Sequence, residues 1–255
     1  MDLFNLDKKV AIVTGAGRGI GKEIALGLAK AGCDLVICSR TESELNELAE
    51  EIKHIGSEAL VVQCDIAQPE DIDNVIDETL KHYKKIDILI NNAGLTRKHP
   101  AEDFPLEDWN QIIQVNLTGV FLFAQKVGKI MLDQGRGSII NISSVASVQA
   151  VTSSIAYGAS KGGVKMLTKT FASEWASRGV RVNAIAPAYV ETPLVKAIKD
   201  HRSDFAEDII NRTPMKRMGD PKEIVGTAIF LASDASSYIT GETIFVDGGW
   251  TSIGL

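Results

Sequence analysis

Cysteine is scarce in this chain: three residues in 255, Cys33, Cys38 and Cys64. Three thiols exclude a fully paired disulfide framework, and two of them lie in apolar runs, where a free thiol acts as a small hydrophobe. The expected setting is therefore reduced and cytoplasmic. The four histidines, His54, His82, His99 and His201, are scattered, and none pairs with a cysteine at zinc-ligand spacing. No structural metal is expected. No apolar run approaches the roughly 20 residues of a membrane helix. The start, "MDLFNLDKK", has neither the basic region nor the apolar core of a secretory leader. A basic surplus is also missing. The formal net charge of −6 argues against a nucleic-acid partner, whose phosphates call for a basic face. Linkers, low-complexity tracts and repeats are absent, so one domain over residues 1–255 is expected.

What is present is alternation. Apolar residues make up 45% and charged residues 24%, an ordinary globular balance. Short apolar runs, "VAIVT" (10–14), "DLVICS" (34–39), "ALVVQC" (59–64), "IDILIN" (86–91), "GSIINIS" (137–143), "VRVNAIA" (180–186) and "TIFVDGG" (243–249), are separated by stretches of helical period. In the second of these, Leu45, Leu48, Ile52 and Ile55 recur at steps of three and four. In the third, Pro69 suits a first helical turn and the following acids favour a helix N-terminus. Seven near-continuous apolar strands interleaved with helices predict an α/β fold, a doubly wound parallel sheet covered on both faces. In such sheets ligands bind beyond the carboxyl ends of the strands, so the residues just after each strand carry the chemistry.

After the first strand comes "TGAGRGIG" (14–21), with Gly15, Gly17, Gly19 and Gly21 leading into a helix. Glycines let backbone approach a pyrophosphate, and the helix N-terminus favours its charge. The spacing departs from G-x-G-x-x-G, since Ile20 stands where the last glycine would fall counting from Gly15. No Gly-Lys-Ser/Thr follows, which disfavours a phosphate-cleaving loop. At the end of the second strand, a free ribose 2′-hydroxyl normally meets an Asp or Glu. Here Ser39 and Arg40 stand instead, and a guanidinium pairs bidentately with a 2′-phosphate. Arg18 adds a second positive charge within the loop. NADP(H) is favoured, with NAD(H) possible. Farther on, "SIAYGASKGG" (154–163) sets Tyr157 and Lys161 four apart, on one helical face. An unperturbed phenol titrates near ~10, and a nearby ammonium favours the phenolate and lowers that value.

With "TGAGRGIG", "NNAG" (91–94), Asn116, Ser144 and "YGASK" (157–161) in this order, the chain resembles the short-chain dehydrogenase/reductase family. The resemblance continues through "IAPAYVETP" (185–193) to "VDGG" (246–249). It implies a Rossmann-like fold, hydride transfer to or from a nicotinamide, and a homotetramer. Tyr157 is then the general acid/base, Lys161 its electrostatic partner and a ribose ligand, and Ser144 and Asn116 complete the tetrad. Ser143 is the neighbouring rival to Ser144, but successive strand residues point oppositely, and the family spacing selects Ser144. Asn116 would bond backbone and water in a proton relay. Asn91 would tie strands together, with Ala93 and Gly94 passing close to the cofactor. Asp65 and Ile66 match positions flanking the adenine. Val190 and Thr192 match positions contacting the carboxamide. Pro187-Ala188 replaces the family's Pro-Gly, and alanine tolerates positive φ poorly.

The loop "LTRKHPAEDFPLEDW" (95–109) clusters Arg97, Lys98 and His99 on an acidic chain, suited to a carboxylate or phosphate. That segment, with residues 212–236, resembles the gluconate 5-dehydrogenase branch of the family, which implies a sugar-acid substrate. A 3-oxoacyl-(acyl-carrier-protein) reductase and a broad carbonyl reductase fit the same pattern. Gln149, Tyr189 and Trp250 are expected near the pocket, and residues 190–218 as its lid.

Overall fold

The computed structural model describes residues 2–192, Val195 and 203–252. Seven strands form one sheet: β1 (Val10–Thr14), β2 (Asp34–Ser39), β3 (Ala59–Gln63), β4 (Ile88–Asn91), β5 (Gly137–Ile142), β6 (Val180–Pro187) and β7 (Thr243–Val246). Every pairing is parallel, in the order β3-β2-β1-β4-β5-β6-β7. The crossovers run through α1 (Gly19–Lys30), α2 (Glu42–Ile55), α3 (Pro69–Tyr83), α4 (Leu106–Ile113), α5 (Val120–Gln134), α6 (Ile155–Trp175), α7 (Ser203–Arg212) and α8 (Lys222–Ala232). This is the doubly wound α/β arrangement the alternation predicts and the Rossmann-like fold the resemblance implies.

Side chains alternate across a strand, so each strand feeds two cores. Ala11, Val13, Leu35, Ile37, Ile88, Ile90, Ile140 and Ile185 pack against Ile24 and Leu28 of α1, Leu45 and Leu48 of α2, and Leu231 of α8. Their neighbours Val10, Ile12, Val36, Leu89, Ile139 and Val182 face the other way. They meet Ile72 and Val75 of α3, Phe123 and Val127 of α5, and Trp175 of α6. With both faces covered, the strands have no polar face, which is why they read as continuous apolar runs.

Local chemistry sets the element ends. Pro69 occupies the first turn of α3, as expected, with Glu70 and Asp71 beside it. Strand β7 is shorter than the apolar run suggests. Gly248 and Gly249 take φ of 61° and 87°, and the Asp247 carboxylate accepts from the Gly249 and Thr251 amides at 2.9 and 2.8 Å. That turn carries the chain off the sheet. Between α4 and α5 the helix loosens into a π-helical segment, Gln114–Gly119, a feature that recurs at functional sites.

β1 sits between β2 and β4, the point where strand order reverses, and a crevice opens there at the carboxyl ends. Below it a buried polar chain ties sheet to helix. Asn91 Nδ2 donates to Asn141 Oδ1 at 2.9 Å, and Asn141 Nδ2 donates to Thr168 Oγ1 at 2.9 Å. Asn141→Leu keeps the volume but strands the Asn91 amide. It should cost about 2 kcal/mol, seen as a melting temperature lower by roughly 4–8 °C; an unchanged melting curve would show that the chain contributes nothing.

Candidate active site

The crevice is a cleft of about 630 Å³, within the range of cofactor sites. Its floor is the glycine loop. Gly15 takes φ of 63°, and a Cβ there would lie 2.9 Å from the Ala93 Cα, so only glycine lets the ends of β1 and β4 approach. Gly15, Arg18, Gly19 and Ile20 line the cleft, with α1 starting at Gly19 and presenting its unpaired amides there. Gly21 does not line it. A Cβ at Gly21 would fall 2.3 Å from the Gly15 carbonyl oxygen, so this glycine seats helix on loop. Gly15 and Gly19, lining the cleft beside the start of α1, are the candidate seat of a pyrophosphate.

Ser39, Arg40, Asp65 and Ile66 line the far end, and Arg40 is exposed. Asp65 Oδ1 accepts from the Ala67 amide at 3.0 Å. Ala93 and Gly94 line the cleft, but Asn91 does not. Asn91 is the last residue of β4, 1% exposed, and its amide is spent on Asn141. The next residue faces the cleft instead: Asn92 Nδ2 donates to the Thr14 and Gly15 carbonyls, both at 3.0 Å. Thr14 Oγ1 in turn accepts from the Asn92 and Ala93 amides at 3.0 Å. Sequence reasoning missed Thr14 and Asn92. The signal was there, in a hydroxyl ending β1 and a second amide in "NNAG".

At the near end, Ser144, Tyr157 and Lys161 line the same cleft. Ser144 hydrogen-bonds the Tyr157 hydroxyl; Ser143 also lines the cleft, but its hydroxyl is spent on the Lys161 carbonyl at 3.4 Å. Lys161 Nζ lies 5.6 Å from the Tyr157 ring centre and donates to the Ile142 carbonyl at 2.7 Å. The direction expected for the phenol is reversed. Burial pushes Tyr157 above its ordinary value, the Ser144 bond opposes that, and Tyr189 adds to it. Lys161 is pushed down to about 8 by burial. Lys161 is buried and Tyr157 half-buried, and desolvation disfavours the charged form of each.

Asn116 sits in the π-helical segment, fully buried, and does not line the cleft. Its side chain accepts from the Leu95 amide and donates to the Leu95 carbonyl, both at 2.8 Å, and reaches Ser160 Oγ at 3.3 Å. It therefore holds the loop after "NNAG" against the helix carrying Tyr157. Pro187, Tyr189, Val190 and Thr192 line the cleft. Ala188 is not among the positive-φ residues, so alanine at the Pro-Gly position brings no backbone strain. Val190 bridges to Gly219. The expected lid, 190–218, is only partly visible: 193–194 and 196–202 lie outside the described residues, while α7 falls within the span.

The basic cluster divides at the cleft. Thr96 and Lys98 line the cleft, but Arg97 and His99 do not. Asp108, in the first turn of α4, draws both away: His99 Nε2 lies 2.6 Å from Oδ2 and Arg97 Nε lies 3.9 Å from Oδ1. The carboxylate holds this pair outside the cleft lining. Gln149 is also outside the cleft lining. Its Oε1 accepts from Trp250 Nε1 at 2.8 Å, and Trp250 packs edge-on against Tyr189 at 5.1 Å.

The family profile described as enoyl-(acyl carrier protein) reductase matches residues 15–251. The 2-dehydro-3-deoxy-D-gluconate 5-dehydrogenase of Bacillus subtilis is 45% identical over 251 residues, 98% of each chain. The 3-oxoacyl-(acyl-carrier-protein) reductase of Synechocystis is 44% identical over 246 residues, 96% of this chain and 97% of its own. Among solved structures, a gluconate 5-dehydrogenase from Burkholderia cenocepacia, in complex with NADP and tartrate, matches with a TM-score of 0.95. It is 43% identical, and the match covers 99% of both chains. The chain belongs to the short-chain dehydrogenase/reductase family. It is an oxidoreductase acting on CH–OH groups.

The buried Lys161 yields a test. Its folded value of about 8 lies below the ordinary 10.5, so the unfolded chain binds the proton more tightly. The cost of burying the ammonium is complete below pH 8 and fades as pH rises toward 10.5. Lys161→Met should be more stable than wild type at pH 7, with the gap narrowing by pH 10 in urea unfolding. A gap independent of pH would refute the buried charge.

Proposed function

We propose that the chain is an NADP(H)-dependent oxidoreductase interconverting a ketone and a secondary alcohol on a sugar acid. One observation carries the reading: Tyr157, Ser144 and Lys161 meet at one end of a cleft whose other end presents Ser39 and Arg40. The gluconate-type names of the Bacillus and Burkholderia relatives, and the NADP of the latter complex, support the substrate class and cofactor. When bound, the nicotinamide supplies or accepts the hydride at the substrate carbon.

The chain's own residues handle the proton and the orientation. The Tyr157 hydroxyl gives its proton to the carbonyl oxygen in reduction and takes it back in oxidation. Ser144 Oγ, bonded to that hydroxyl, also orients the substrate oxygen. A phenol raised by burial keeps its proton at neutral pH, which suits the reductive direction. Lys161 positions its ammonium beside the Tyr157 ring and is the candidate ligand of the nicotinamide ribose. Asn116 fixes the Leu95 backbone and, through Ser160, the turn of α6 that carries Tyr157. Ser39, Arg40 and Arg18 are the candidate ligands of a 2′-phosphate.

The Synechocystis relative favours a second reading, 3-oxoacyl-(acyl-carrier-protein) reduction. Steady-state rates on gluconate, 5-ketogluconate and an acetoacetyl thioester, each with both cofactors, separate the two. Preference for the thioester would sink the sugar-acid reading. Tyr157→Phe should lower kcat by about 10²–10⁴-fold while leaving NADPH affinity nearly unchanged; retained turnover would remove Tyr157 from the proton step. Arg40→Ala should weaken NADPH more than NADH, and equal losses would count against the phosphate assignment.

A further inference from the structure

A carboxylate stands at the ribose end of the cleft, in a place the end of β2 does not reveal. Glu44, in the first turn of α2, lines the cleft with Ser39, Arg40 and Thr41. It occupies the room left by the missing side chain of Gly17. A Cβ at Gly17 would lie 2.6 Å from Glu44 Oε2, 3.0 Å from its Cβ and 3.3 Å from Ser39 Oγ. Glu44 Oε1 lies 3.4 Å from Arg18 Nη1, with the two side chains 32% and 69% exposed. One of the cations expected to favour a 2′-phosphate is thus already paired.

A second partner for Glu44 lies within reach in its own helix turn. Thr41 is the N-cap of α2, and Thr41-Glu42-Ser43-Glu44 has the spacing of a capping box, in which the glutamate reaches back to the N-cap amide. In the structure it reaches Arg18 instead.

We propose that Glu44 is a specificity-determining residue for the dinucleotide, competing with a 2′-phosphate for Arg18 and holding the preference for NADP(H) below what Ser39, Arg40 and Arg18 would otherwise set. The proposal rests on the cofactor reading above, because it takes this end of the cleft as the ribose site. A half-exposed ion pair is weak, so Arg18 is easily exchanged to a phosphate, and Glu44 then has the Thr41 amide to turn to. The carboxylate still stands beside the incoming phosphate charge and repels it. A 2′-hydroxyl meets no such repulsion and finds an acceptor.

The test is direct binding of NADPH and NADH, followed by the reduced cofactors' fluorescence, in wild type, Glu44→Gln, Arg18→Met and the double variant. Glu44→Gln should tighten NADPH by about 10-fold at low salt and change NADH by less than about 2-fold. In the Arg18→Met background the gain for NADPH should shrink, since the competition is gone and only repulsion remains. Equal changes for both cofactors, or no gain for NADPH, would overturn the proposal. The wild-type ratio of the two affinities tests the cofactor reading separately: a preference for NADH sinks that reading, while the shift caused by Glu44→Gln still decides this one.

Discussion

Two backbones that nearly touch organise this molecule. Where β1 and β4 end side by side, Gly15 comes so close to Ala93 that a single Cβ would lie 2.9 Å from the Ala93 Cα. Thr14 and Asn92 lock the contact with hydrogen bonds in both directions. Because the sheet is parallel and its order reverses here, the same contact sets the floor of the cleft and the start of α1. The glycine loop, the "NNAG" turn and the helix amides all take their places from it.

The other end of the cleft is governed by desolvation. The α6 helix places Tyr157 and Lys161 one turn apart, with Lys161 buried and Tyr157 half-buried. A lysine alone beside a tyrosine would favour the phenolate, but burial acts on both groups and disfavours both charges. The Ser144 bond and the Ile142 carbonyl partly offset that cost. A tyrosine that keeps its proton and a lysine lowered to about 8 therefore stand side by side at one end of the cleft.

How far the sequence could be read followed the range of the interactions involved. The strands were visible because the five inner ones, β2, β1, β4, β5 and β6, are buried on both faces and the two edge strands largely covered, giving apolar runs that need no tertiary knowledge. Gly15, Ser144, Tyr157 and Lys161 were visible because backbone freedom and one helical turn are local properties. Gly21 was read into the cleft because only helix seating decides which glycine of the loop faces it, whereas Asn91 ties β4 to β5 as the resemblance implied. Arg97 and His99 were misplaced because sequence proximity says nothing of Asp108 on the next helix. Glu44 went unseen because its partner, Arg18, lies 26 residues away.

By itself the sequence determined the element order, the parallel sheet, the glycine-rich loop after β1 and the Tyr-Lys pair. Each of these is written in periodicity or in spacings of a few residues. Only the tertiary structure decided which loop residues turn inward, which charges are already neutralised, and in which direction burial moves the titrating groups. Those outcomes depend on neighbours distant in the chain and on the exclusion of water, and neither is encoded locally.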